Sequence, residues 1–283
     1  MAESQGEGEW GLIFCGGAMR NTFSAGVAWA LWRAGFKGEF FNRIIGISGG
    51  SGTAAYFLTD QLVEGRRIWL EEVPKGLIRF RYPILDLHFL TETVFRERVP
   101  LDVARLRATK TQFDIAITDC ETGRAIYVNG ADGDVFKALR ASMALFPCHG
   151  PEPYRDDGRL GIDGCHADPI PLSRMFAMDI RKILVVLTDP ISERATRINP
   201  LLRWIAEYIL PPRAALALRL SPSRYNDRLV MMGRPINGAT IVTVAPPVPT
   251  PAGRLTRDPR LLEATMEMGC KAMQSIIASK QFP

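Results

Sequence analysis

Histidine is scarce in this sequence: His88, His149 and His166 are all that its 283 residues hold. That shortage argues against a metal centre, because no clustered ligands with suitable spacing accompany them. It also argues against an α/β-hydrolase triad, whose order is serine, then acid, then a late histidine. Nothing after residue 166 can fill that role, and His166 itself follows the nearest candidate acid, Asp163, too closely. Other absences narrow the field. There is no G-x-x-x-x-G-K-[ST] phosphate loop, and the glycine-rich stretch near residue 16 lacks G-x-G-x-x-G spacing. No uncharged apolar run reaches the roughly 18 residues of a membrane span. No nucleic-acid motif occurs, so the net charge of +5 is not read as nucleic-acid binding. The five cysteines lack C-x-x-C spacing and read as free thiols in a reducing, cytoplasmic compartment. Residues 1–9 are polar and acidic, without the basic-then-apolar pattern of a secretory leader. They read as a flexible segment ahead of a single domain over 10–283. No motif calls for a cofactor or a metal.

What is present begins with the apolar run Arg43–Ile47, which ends in Gly46-Ile47-Ser48-Gly49-Gly50. This is a G-x-S-x-G nucleophile elbow: a strand delivers the serine, a helix leaves from it, and small neighbours permit the sharp turn. With no late histidine, a serine activated by a carboxylate is the simpler chemistry.

Two further segments fit that chemistry. Gly11–Phe14 is an apolar strand running into Cys15-Gly16-Gly17-Ala18-Met19-Arg20, and a helix follows from about Thr22. Open backbone N–H groups at Gly16, Gly17 and Ala18, the positive end of the helix and the charge of Arg20 suit an oxyanion. Gly161-Ile162-Asp163-Gly164 ends a short strand in Asp-Gly, which by itself signals only a β-turn.

In this order the three segments resemble the bacterial patatin-like phospholipases. That family combines a glycine-rich loop with an arginine, a G-x-S-x-G serine and an Asp-Gly aspartate. The resemblance extends through Phe113–Arg124, Ala138–Ala144 and Asp168–Leu172, and spans about Gly11 to Met273. It implies an α/β fold with a mostly parallel central sheet and helices on both faces, three layers in all. It implies Ser48 as nucleophile, Asp163 as base, and Gly16, Gly17, Ala18 and Arg20 around the oxyanion, with Gly46, Gly49 and Gly50 forming the elbow. The implied substrate is a lipid or another acyl ester. An acyltransferase, or a lipid-binding member with little catalysis, remains as an alternative. Three positions depart from the family pattern: Ala18 and Asn21 replace glycines, and Cys165 follows Asp-Gly. Alanine at 18 costs about 1–2 kcal/mol if that position is left-handed. Asn21 is the non-glycine residue that best tolerates such a conformation.

Strands are predicted near 10–15, 43–47, 113–118, 124–128, 159–163, 182–188 and 239–244. Helices are predicted near 22–34, 49–62, 99–107, 133–144, 196–210, 212–219, 222–233 and 257–280. Gly16, Ser48 and Asp163 each follow a strand, so all three can meet at the carboxyl edge of the sheet. Residues 66–82 and 200–232 mix arginines with Leu, Ile, Trp and Tyr. Such helices pack on a sheet with a solvated charged face, or lie on an anionic membrane, and 196–233 also has the composition of a lid. The proline-rich run 245–251 reads as a stiff connection to the last helix.

Overall fold

The computed structural model describes residues 9–236 and 238–283. The acidic start, read above as flexible, lies outside the described residues except for Glu9. Eight strands form one sheet: β1 (Trp10–Phe14), β2 (Phe41–Ile47), β3 (Gln112–Asp119), β4 (Ala125–Asn129), β5 (Glu152–Pro153), β6 (Leu160–Asp163), β7 (Lys182–Val186) and β8 (Thr240–Val244). Their order is β5-β6-β3-β2-β1-β7-β8, and β4 also pairs with β3. From β3 through β2, β1 and β7 to β8 the neighbours are parallel. At the other end β4 and β6 run antiparallel to β3, and β5 antiparallel to β6.

Parallel strands are covered on both faces, which is why their sequences are continuous apolar runs. The period of two then sorts them. Leu12 and Phe14 of β1, Ile115 and Ile117 of β3, and Leu184 and Val186 of β7 point into one core. Ile13 of β1, Ala116 of β3, and Ile183 and Val185 of β7 point into a second core on the opposite face. The fold is thus mixed α/β, with a mostly parallel sheet between two helical layers.

The helices are α1 (Thr22–Arg33), α2 (Gly49–Leu58), α3 (Leu62–Arg67), α4 (Val73–Gly76), α5 (Val103–Ala108), α6 (Val135–Ser142), α7 (Leu172–Ala177), α8 (Pro200–Ile209), α9 (Pro212–Met232) and α10 (Pro259–Ala278). The first core takes residues of α1, α2, α6 and α10. The second takes Leu172 and Met175 of α7 and Leu229 of α9. No described helix is long and apolar enough to cross a membrane.

Several local expectations need correction. Pro222 does not divide 212–233 into two helices, because α9 continues through it. Proline withdraws the N–H that the Leu218 carbonyl would accept. Close by, Arg224 Nη1 reaches the Ala217 carbonyl at 3.5 Å. The helix expected over 49–62 ends at Leu58, and α3 restarts at Leu62. The π-helical turns at Ile68–Glu72 and Phe89–Arg98, the short α7 and the two-residue β5 carry no sequence pattern that announces them. Of the basic residues of 66–82, Arg66 pairs with Glu263, Arg67 with Glu71, Lys75 with Glu72 and Arg79 with Asp86, while Arg81 is exposed with no carboxylate partner among the described residues.

The layer over the elbow is fixed by one close crossing. A Cβ on Gly26 of α1 would fall 1.8 Å from the Met266 carbonyl oxygen, and one on Gly269 of α10 would fall 2.0 Å from that of Phe23. Backbone meets backbone there, so neither helix can yield by rotating a side chain. Gly269→Val is therefore expected to cost about 1–3 kcal/mol. Urea unfolding should show a lower midpoint at an unchanged slope.

Candidate active site

Strand register sets the site in a single row. Ile47 pairs with Ala116, so Ser48 stands level with Ile117, and Ile117 pairs with Asp163 across the antiparallel β3–β6 ladder. On the other side Phe14 pairs with both Gly46 and Val186, which brings Gly16 level with Ser48 and with Thr188. The expectation that Asp163 arrives at the carboxyl edge as the other two do needs amending. Its strand descends from that edge, and the aspartate reaches the row because β6 stops there.

Ser48 has φ 54 and ψ −134 at the strand-to-helix turn. A residue with a Cβ is strained there. Its surroundings over-determine the turn. A Cβ on Gly46 would lie 2.4 Å from Ser51 Cα, and one on Gly50 would lie 2.4 Å from the Phe14 carbonyl oxygen. The buried Ser48 N–H donates to Ser142 Oγ at 3.0 Å, and Ser142 Oγ donates onward to the Ala116 carbonyl at 2.7 Å. The Ser48 carbonyl accepts from Ser51 N and Oγ at 2.9 and 2.6 Å. Gly49, closest to α2's N-terminus, packs against the Asn21 side-chain amide.

Asp163 is buried and held by its backbone. Its N–H donates to the Ala144 carbonyl at 3.0 Å, and its own carbonyl accepts from Thr118 Oγ1 at 2.8 Å. Oδ1 accepts from the Cys165 N–H at 2.9 Å, while Oδ2 is buried without a partner. Cys165, a departure from the family pattern, contributes its N–H to this grip. Burial beside the Asp163 carboxylate pushes its thiol well above the ordinary range.

The glycine loop is pinned by its carbonyls. Thr188 Oγ1 donates to the Gly16 carbonyl at 2.7 Å. The Gly17 carbonyl accepts from Arg20 N at 3.2 Å and Nε at 3.4 Å. Among the described residues the N–H groups of Gly16, Gly17 and Ala18 have no protein acceptor. Arg20 forms an ion pair with Asp189. It therefore braces the loop with its Nε and spends its charge on Asp189. Burial lowers the Arg20 pKa, an effect that Asp189 opposes. Ala18 has φ 51, so the strain foreseen for alanine is present. Asn21 has φ −64, an ordinary helical value, so its tolerance of left-handed backbone is not used.

Two cavities meet at the serine. One reaches inward between α1, α2 and α3, and is lined by Trp29, Tyr56, Trp69, Leu77, Leu90 and their apolar neighbours as well as Ser48. The other, larger one is lined by Ser48, Asp163, the 16–18 loop, Arg20, His166, Asp189, Tyr225 and Arg254. Of the three histidines only His166 lines either cavity. Burial lowers its pKa, opposed by Asp163, and its Nε2 has no partner. His88 and His149 instead face Glu152.

Sequence reasoning missed Ser142, Thr188, Asp189 and Arg254. Thr188 and Asp189 follow β7 just as Ser48 follows β2, so the strand-end argument would have found them. Ser142 is one serine in an ordinary helix and gives no signal. Arg254 lies just beyond the proline-rich run 245–251, and its carbonyl accepts the Met19 N–H at 3.3 Å. That run therefore leads into the site.

A family model described as patatin-like phospholipase matches residues 12–176, from β1 through the loop, the elbow and Asp163 into α7. The fold is similar to that of VipD from Legionella pneumophila in its crystal structure, with a TM-score of 0.51 and 11% identity, covering 97% of this chain and 67% of that one. At that identity the likeness concerns fold alone. No curated protein matches by sequence.

The Ser142 hydroxyl is the only recorded acceptor for the strained Ser48 N–H among the described residues. Ser142→Ala strands a buried donor and is expected to cost about 1–3 kcal/mol. Chemical denaturation measures that loss. Slower reaction of Ser48 with a fluorophosphonate would report the loosened elbow.

Proposed function

The chain belongs to the patatin-like phospholipase family, a family of lipid acyl hydrolases, and from that premise we propose that it cleaves acyl esters of phospholipids or related lipids with a Ser48–Asp163 dyad. The observation that carries this reading is the buried, unpartnered Asp163 Oδ2 in the same cavity and on the same sheet row as Ser48. A buried carboxylate oxygen without a donor is costly unless something comes to meet it. A serine hydroxyl or a hydrolytic water is what a general base meets.

In this mechanism the acyl chain lies in the apolar cavity and its carbonyl carbon stands at Ser48 Oγ. Oγ attacks as Asp163 takes its proton, and the tetrahedral oxyanion is met by N–H groups of the 16–18 loop. Collapse expels the leaving alkoxide, which recovers the proton from Asp163 and departs as the alcohol. A water then gives its proton to Asp163 and attacks the acyl-serine. A second collapse frees the fatty acid and returns the proton to Ser48. Arg20 positions the loop through the Gly17 carbonyl.

The α8–α9 pair is the proposed contact with anionic membrane. Leu202 and Leu218 line the polar cavity from within. Outward, Trp204 and Tyr208 stack at 6.2 Å and are 65% and 83% exposed. Arg203 is paired with Glu207, whereas Arg213 and Arg219 have no carboxylate partner among the described residues. Each such arginine near an anionic surface contributes about 1 kcal/mol, screened by salt. Sedimentation with phosphatidylserine vesicles should show binding that weakens at high salt and with Trp204→Ala. Absence of binding at low salt would remove this contact.

On a short acyl ester, Ser48→Ala should abolish turnover, and Asp163→Asn should lower it about 10²–10⁴-fold. His88→Ala, His149→Ala and His166→Ala should each retain most of the rate. Collapse of activity in His166→Ala, with its circular dichroism unchanged, would replace the dyad by a histidine-dependent mechanism.

A further inference from the structure

The apolar cavity accounts for the acyl chain, but the mechanism leaves most of the larger cavity unassigned. Four arginines line it, Arg20, Arg194, Arg197 and Arg254, against Asp163, Asp189 and Glu193. Arg20 is neutralised by Asp189, and Asp163 is the base. Arg194, Arg197 and Arg254 remain, with Glu193 as their one counter-charge. Among the described residues none of the three has a carboxylate at ion-pair distance.

All three side chains are exposed, but the backbone that carries them is fixed. The segment that carries Arg194 and Arg197 is clamped to α9, because Asn226 accepts from Ala195 N at 2.9 Å and donates to the Ala195 carbonyl at 3.0 Å. Arg194 Nη1 rests on the Ile191 carbonyl at 2.8 Å. Arg254 is tied to the glycine loop through its own carbonyl. Its charge is felt at Arg20, Cys165 and His166, which places it at the dyad end of the cavity. Like charges lining one cavity repel, and an anion between them relieves that repulsion. The guanidinium fork matches phosphate oxygens in particular.

We infer that Arg254, backed by Arg194 and Arg197, binds the phosphate of a lipid headgroup while the acyl chain occupies the apolar cavity, and that the uncompensated positive charge of the three repels a headgroup cation, so that the enzyme selects net-anionic over zwitterionic acyl lipids. This rests on the acyl-hydrolase reading of Ser48 and gives it a side-chain basis for headgroup choice.

The test uses dihexanoyl-phosphatidylglycerol and dihexanoyl-phosphatidylcholine below their critical micelle concentrations, so that no charged lipid surface contributes. Both lipids offer the phosphate and only choline sets a cation against the arginines, so the expected kcat/KM ratio favours the glycerol headgroup about tenfold or more, as like-charge juxtaposition provides. Arg254→Gln and, separately, Arg197→Gln should bring that ratio towards one. Calorimetric titration of Ser48→Ala protein with the same two lipids reads headgroup affinity without turnover. It therefore stands even if wild-type protein fails to cleave a neutral nitrophenyl ester, which is the result that would overturn the hydrolase reading itself. Equal kcat/KM and equal affinity for the two lipids would overturn the headgroup assignment. So would a preference that both arginine variants keep, or a preference for choline, which would reassign the cavity to Glu193 and Asp189.

Discussion

A serine at φ 54 and ψ −134 is held against its own backbone preference, at a cost on the order of 1–3 kcal/mol. The structure around it is arranged so that no cheaper conformation is open. Behind the turn, β1 and α2 approach so closely that Gly46 and Gly50 leave no volume into which the backbone could relax. Beside it, the Ser142 hydroxyl links the Ser48 N–H to the Ala116 carbonyl, tying the elbow to β3 and α6 together. Above it, the crossing of α1 over α10 is locked at Gly26 and Gly269. Each contact is ordinary, and together they convert stability from a large two-sided core into a fixed direction for one hydroxyl.

The same constraint explains the contrast between the two cavities. The sheet row from Asp163 to Thr188 has different neighbours on its two sides. One side is roofed by α1, α2 and α3, whose inward residues are Ala, Trp, Tyr and Leu, and it encloses an apolar space. The other side opens towards the 189–199 segment and α9, where arginines and acids gather. An amphiphile is the molecule whose two ends match such a pair, and the turn that presents Ser48 lies where they join. The elbow therefore fixes the Ser48 hydroxyl at the point where the polar cavity gives way to the apolar one.

Legibility in the sequence followed the range of the interaction. The elbow was readable because its determinants lie within five consecutive residues, Gly46 to Gly50. All seven expected strands are found, and β1, β2, β3 and β7 were the plainest, because a strand buried on two faces has few compositional alternatives. What sequence could not supply was long-range. Asp163 sits on a strand antiparallel to its neighbour, a direction that no residue of Leu160–Asp163 encodes. Ser142 acts on a residue 94 positions earlier. Pro222 looked like a helix break because proline nearly always is one, yet packing of α9 along the site overrides that local preference.

Ala18 shows how a departure from a family pattern can be read once the geometry is known. At φ 51 its methyl group is strained by about 1–2 kcal/mol relative to glycine. The chemistry needs the direction of its N–H, however, and the methyl does not set that direction. The Gly17 carbonyl is held by two donors of Arg20, and the peptide plane then turns the Ala18 N–H the opposite way. Arg20 is itself anchored by Asp189, which follows β7 one residue past the sheet row. The Ala18 N–H thus inherits its orientation from the sheet through Asp189, Arg20 and a carbonyl. A change that leaves this chain intact subtracts from stability without redirecting the N–H.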